Sequence, residues 1–201
     1  MGDSWYESVG PEDALTQGDI IVDCPLMGWT SGPISLAGGG ETEVLEGAVE
    51  GIVGDVIVMT QACDLADGSV PNVIVCLATT TSQFHTEWAR AERERKQSPT
   101  PRAWSKYCER IAKGFVWNLA VLNSGNSGAA QTEHRIVDFT AVYTIPRTFI
   151  DSLLRARGVQ RMRLLAPYRE HLSQAFARFF MRVGLPTPLD PVPAGNTDTE
   201  S

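Results

Sequence analysis

The sequence predicts a mainly β fold with helical additions: a small, strongly bent antiparallel barrel with two inserted helices and a C-terminal amphipathic helix. Three observations predict it. Short apolar, β-branched runs recur at 18–22, 55–60, 72–78 and 134–145, each bounded by turn or loop residues. Helical periodicity enters only after residue 80. No strand–helix–strand alternation of the kind that builds a parallel sheet is present. With 201 residues, 43% of them hydrophobic, the chain has the length and apolar content of one domain.

Residues 1–16 are polar and acidic and read as a flexible leader. The domain proper is expected over 17–184. It opens with the strand at 18–22, followed by a glycine- and proline-rich stretch, 25–47, read as a long loop. Two strands are expected at 48–53 and 55–60. The second is apolar without alternation, as a strand buried on both faces would be. Asp67-Gly68 signals a turn, and 72–78 is the antiparallel neighbour that follows it.

A helical insertion is expected over 83–113. Its first helix carries Phe84 and Trp88 on one face and charges elsewhere. Ser98-Pro99-Thr100-Pro101 breaks it. The second helix sets Trp104, Tyr107, Cys108 and Ile111 on one side. Residues 115–122 read as a strand, 124–132 as a hairpin tip, and 134–145 as a strand with Val137, Phe139, Ala141, Tyr143 and Ile145 on one face. Thr148 has N-cap chemistry for a short helix ending at Gly158. The last helix, 168–183, sets Tyr168, Leu172, Ala175, Phe176, Phe179, Phe180 and Val183 on one stripe. The proline-rich tail 185–201 is expected to be disordered.

Charge is divided along the chain. Residues 1–89 hold fourteen acids and no Lys or Arg; all seventeen basic residues follow. Eight arginines fall within 147–182. Two readings follow: the halves attract each other inside the fold, or the arginines form a face for an anionic partner such as RNA. The four cysteines are scattered without CxxC spacing, so free thiols are expected, with no metal site and no cofactor. No apolar run is long enough to span a membrane and no secretory signal opens the chain, so the expected compartment is the cytoplasm.

The strands at 18–22 (GDIIV), 55–60 and 72–78, then HRIVDFTAVYTIPRTFI running into a small helix, resemble the MazF/PemK family of toxins. Within it, the Thr-Gln-Ala-Cys-Asp-Leu stretch at 60–65 is similar to an (S/T)QxCD(L/I) motif found in uncharacterised bacterial proteins. The resemblance implies an SH3-like, PemK-like barrel, a bacterial conflict or defence setting, and, at Thr60, the hydroxyl that ends the family's second apolar strand. The family's cleavage also uses a basic residue in the loop after the first strand. Loop 25–50 has none and carries Glu41, Glu43, Glu46 and Glu50, a poor match for the charge built up at phosphorus.

The expected function is therefore a toxin-fold-derived binding or adaptor protein without MazF-type catalysis. The alternatives are an endoribonuclease on single-stranded RNA, or a hydrolase with Cys63 as nucleophile and a histidine, His134 or His85, brought close by folding. The candidate catalytic residues are Thr60 and Cys63. The candidate binding residues are Gln61, Asp64, His134, Arg147, Arg155, Arg178 and Arg182. The expected partner is a protein or a second copy at the barrel rim or last helix, with RNA as the partner of the arginine-rich segment.

Overall fold

The computed structural model describes residues 4–30, 47–127 and 130–181. The chain is mixed α/β with antiparallel sheets. The strands are β1 (Tyr6–Val9), β2 (Ile20–Trp29), β3 (Val49–Val58), β4 (Asn72–Thr80), β5 (Leu119–Leu122), β6 (Gly125–Ser127), β7 (Ala130–Thr132), β8 (Arg135–Pro146) and β9 (Arg161–Leu164). The helices are α1 (Ala62–Ala66), α2 (Thr81–Glu94), α3 (Pro101–Ala112), α4 (Arg147–Arg157) and α5 (Tyr168–Phe180).

The main sheet has five strands in the order β2-β3-β4-β8-β5, and two strand pairs, β1-β9 and β6-β7, stand beside it. Hydrogen bonding leaves this sheet open, so the expected closed barrel is not formed among the described residues. The expected pairing of the second and third apolar strands holds: Ile57 faces Cys76 and Val58 faces Val75 across an antiparallel ladder. Their neighbours are covered from both sides. Ile57, Cys76, Val137 and Phe139 belong to one core, under α5 and β9; Val58, Val75, Ile150 and Leu154 belong to the other, under α4. Burial on both faces is why the 55–60 run shows no alternation.

Two irregularities shape the sheet. Between Cys76↔Val142 and Leu77↔Asp138, β8 inserts residues 139–141. Asp138 Oδ1 accepts from the Thr140 N–H at 2.8 Å and from its hydroxyl at 2.7 Å, which holds the bulge. The bulge turns Phe139 into the core, edge-on to Phe176 at 5.5 Å, and so seats α5. It also breaks the single face expected along 137–145. In β2, Val22 and Asp23 stand opposite Asp55 alone, and Asp23 adopts φ 50°. Asp55 Oδ1 accepts the Asp23 N–H at 2.8 Å, and Arg157 donates to both bulge carbonyls.

Several expectations change. Residues 6–9 are a strand rather than loose leader: β1 pairs with β9, and Tyr6 is buried with its hydroxyl donating to Asn123 O at 2.6 Å. Residues 25–29 extend β2 instead of opening a loop, and β3 is one strand, not two. Only Leu119–Leu122 of the 115–122 run is strand. Helix α4 begins at Arg147, its N-cap Pro146 giving no side-chain bond, but it does end at Gly158 with φ 62°. On α5 the stripe packs from Tyr168 to Phe179, whereas Phe180 is exposed. The insertion forms as expected: Thr80 and Thr100 cap α2 and α3, and Trp88, Trp104 and Tyr107 pack together beside Ile111. The tail 185–201 and most of the acidic loop, 31–46, lie outside the described residues. No described helix is long and apolar enough to cross a membrane.

The divided charge finds its answer in the fold. Arg161 and Arg163 both donate to Asp19, whose side chain is fully buried, and Arg135 pairs with Asp55 at 2.6 Å. Acids of the first half and arginines of the second hold each other across the molecule.

Candidate functional site

The Gln61–Asp64 corner sits where β3 gives way to α1. Backbone N–H groups of Met59 and Thr60 both donate to Ile74 O, at 2.9 and 3.3 Å, which carries the ladder past the last formal strand residue. Thr60 Oγ1 then accepts the Ile74 N–H at 2.7 Å. Thr60 is buried, so its hydroxyl oxygen stitches two strand ends rather than facing a groove. Helix α1 starts at once: Leu65 N–H donates to Gln61 O, and Leu65 buries into the core.

The Gln61 side chain gives α1 no cap. It reaches α5 instead, where its Nε2 donates to Ser173 Oγ at 3.4 Å. Gln17, entering β2 from below, donates through Nε2 to the same Ser173 oxygen and to Met59 O, both at 3.1 Å. Two amides thus converge on one hydroxyl of α5. Gln17, Gln61, Cys63, Arg169, Glu170 and Ser173 line an open groove of about 470 Å³. Cys63 is exposed there, its thiol donating to Asp64 Oδ1 at 3.5 Å. Arg169 grips Glu170 Oε1 at 2.8 Å, and that hydrogen bond holds the Glu170 carboxyl below the usual carboxylate range. Glu170 Oε2 is enclosed without a hydrogen-bond partner.

The groove therefore offers amide, hydroxyl, thiol and guanidinium groups, most of them already bonded to each other. An activated thiol needs a base, and neither histidine expected for it, His134 or His85, lines the groove. His134 O accepts the Thr81 N–H at the far end of β4. Seven positions of extended chain separate that point from Ile74, roughly 23 Å at about 3.3 Å per residue. His85 lies further along α2, against Trp88 and Trp104. His134 itself is exposed and does not join the groove.

The arginine-rich segment does not make one face. Arg147 donates to Leu65 O at 2.7 Å, closing the end of α1, and lies 3.8 Å from Asp151. Arg155 is exposed on α4, over one core, and Arg178 is exposed on α5, over the other. Arg182 lies outside the described residues. Among the described residues no group of three or more His, Cys, Asp or Glu could hold a metal ion.

Of the residues singled out from sequence, Gln61, Cys63 and Asp64 meet at this corner. Gln17, Arg169 and Ser173 were not foreseen. Gln17 and Ser173 are 156 positions apart, so no local spacing could have paired them. Compared with known protein families and with curated proteins, the chain matches none of them.

Proposed function

We propose that this chain is a binding protein on a scaffold of MazF/PemK type. Its positions equivalent to toxin chemistry serve structure, and the Gln61–Cys63 lip with α5 receives a partner protein. In this reading the open five-stranded sheet, with β9 bonded beside β2, is a PemK-like barrel that has spread apart. The bacterial conflict or defence setting follows from the same resemblance.

One observation carries the reading: the Thr60 hydroxyl accepts a backbone N–H inside the strand junction. A nuclease of the family's kind would present that hydroxyl to phosphate beside a cation. Here Arg147, the candidate cation with a bond nearest this corner, is held by a backbone carbonyl and Asp151. The groove's own cation, Arg169, is matched by Glu170.

Incubation with single-stranded RNA tests the reading, wild type beside Thr60→Ala. Negligible and equal cleavage supports it. Cleavage that depends on Thr60 restores the ribonuclease. A second arm compares thiol alkylation at Cys63 with a free thiol at neutral pH: an ordinary rate agrees with a binding lip, and a strongly accelerated one points to a hydrolase.

A further inference from the structure

We propose that the cleft between β2 and β9 binds a small amphiphilic anion, a carboxylate or phosphate head on an apolar body. The proposal stands apart from the lip and from the reading given for it. The two strands touch at Asp19 and Arg163 and through the Leu164 N–H on Gly18 O. Beyond that point β2 turns away at its bulge. The gap, closed by β7 and the end of α4, measures about 440 Å³, within the range of small-molecule sites at roughly 300–1,000 Å³.

Its polar wall is a buried arginine with capacity to spare. The Arg135 side chain is only 6% exposed. Nε donates to Thr132 Oγ1 at 2.8 Å, and Nη1 donates to Asp55 Oδ2 at 2.6 Å and to Ala78 O at 2.7 Å. A guanidinium has five N–H groups. Those bonds use the one on Nε and the two on Nη1, so both on Nη2 are left. Nη2 is also not sealed in: Glu170 Oε2 is the sole enclosed side-chain N or O atom without a partner among the described residues. Arg135 lines the cleft, and its Nη2 keeps two N–H groups for a guest.

Arg157 supplies the second cation. Its Nη1 and Nη2 hold the carbonyls of Val22 and Asp23 at 2.5 and 2.6 Å, and among the described residues no ion pair with a carboxylate balances its charge. Arg161, also in the wall, is matched by Asp19. Asp23, at the rim, is exposed to solvent, where its repulsion is screened. Ile21, Leu154, Val159 and Met162 give the apolar wall. A head group that accepts from Arg135 and Arg157, with a short aliphatic or aromatic body on those four side chains, satisfies the donors and covers the apolar surface.

Octanoate and octyl phosphate are titrated separately into the full chain at low ionic strength by calorimetry, with octanol as the uncharged control. Arg157→Gln and Val159→Glu are measured alongside. Val159 is exposed at the mouth, so its variant keeps the test valid if loss of Arg157 loosens the bulge. Expected is saturable binding of at least one anion, weakened at least about tenfold by each folded variant and not shared by octanol. Saturation by neither anion, binding unchanged in Val159→Glu, or octanol binding as tightly as the anions overturns the proposal.

Discussion

Asp19 and Arg161 form an ion pair closed to solvent: Arg161 Nε donates to Asp19 Oδ2 at 2.8 Å, and the Asp19 side chain has no exposed surface. Arg163 donates to the other oxygen. Arg161 also donates to Gly10 O, Asp13 O and Ala14 O, so this one cluster ties the N-terminal segment to β9. Asp19→Asn leaves two guanidinium groups beside a neutral amide. The expected loss is about 3–5 kcal/mol, the cost of breaking a buried pair on one side. A urea midpoint at neutral pH measures it, and a loss under about 1 kcal/mol contradicts the central place given to Asp19.

Thr60 makes a prediction that separates structure from chemistry. Thr60→Ala removes the acceptor of the Ile74 N–H at a buried strand junction. About 1–2 kcal/mol of stability is expected to go, with Thr60→Ser recovering most of it. Equal stability of wild type and alanine variant would show that the hydroxyl is free for another task.

The thiols differ by position. Burial pushes Cys24 up to about 11 and Cys76 up to about 12, whereas Cys63 is exposed. In the native protein, alkylation is expected first at Cys63, with Cys24 and Cys76 reacting only after unfolding. The alkaline limb follows. Both groups are neutral when folded and have folded values above the ordinary 9.0. Their contribution is whole below about pH 9 and is lost as pH rises through 11 to 12, because the unfolded thiols ionise first. Cys76→Ala is expected to flatten that limb in a pH series of denaturation midpoints.

Gly125 is a packing prediction. A Cβ there would lie 2.3 Å from Cδ2 and 2.8 Å from Cε2 of the Tyr6 ring, which is buried and anchored by its hydroxyl. Gly125→Ala is expected to cost about 1–3 kcal/mol by displacing β1. Gly51 on β3 meets nothing within 4 Å, so Gly51→Ala is the control, expected to fall within about 0.5 kcal/mol of wild type.

What the sequence revealed follows from which signals are local. The paired strands around Ile57 and Cys76 were legible because both faces are buried and their residues are uniformly apolar. Helices α2 and α3 were legible from their aromatic faces and from the proline break between them. Strand β1 was not: Ser8 pairs with Met162, and nothing within four residues announces so distant a partner. Pro25 and Gly28 made the end of β2 look like loop, yet β2 is the edge of its sheet, where proline is tolerated. The barrel expectation failed because the outer strands β2 and β5 do not pair, a long-range feature that no periodicity encodes. For the site, residues 61–64 were in view from their own motif, whereas Gln17 and Ser173 reach it only through the fold. The divided charge left two readings open, and Arg135, Arg161 and Arg163 answer Asp55 and Asp19 within the molecule, as the reading of attracting halves expects.

The most direct measurement is cleavage of a fluorescent single-stranded RNA by the purified chain, wild type beside Thr60→Ala and Thr60→Ser, with each variant's folding checked first. The expected result is a rate at background for all three. Cleavage by wild type and Thr60→Ser that folded Thr60→Ala lacks would contradict a binding role.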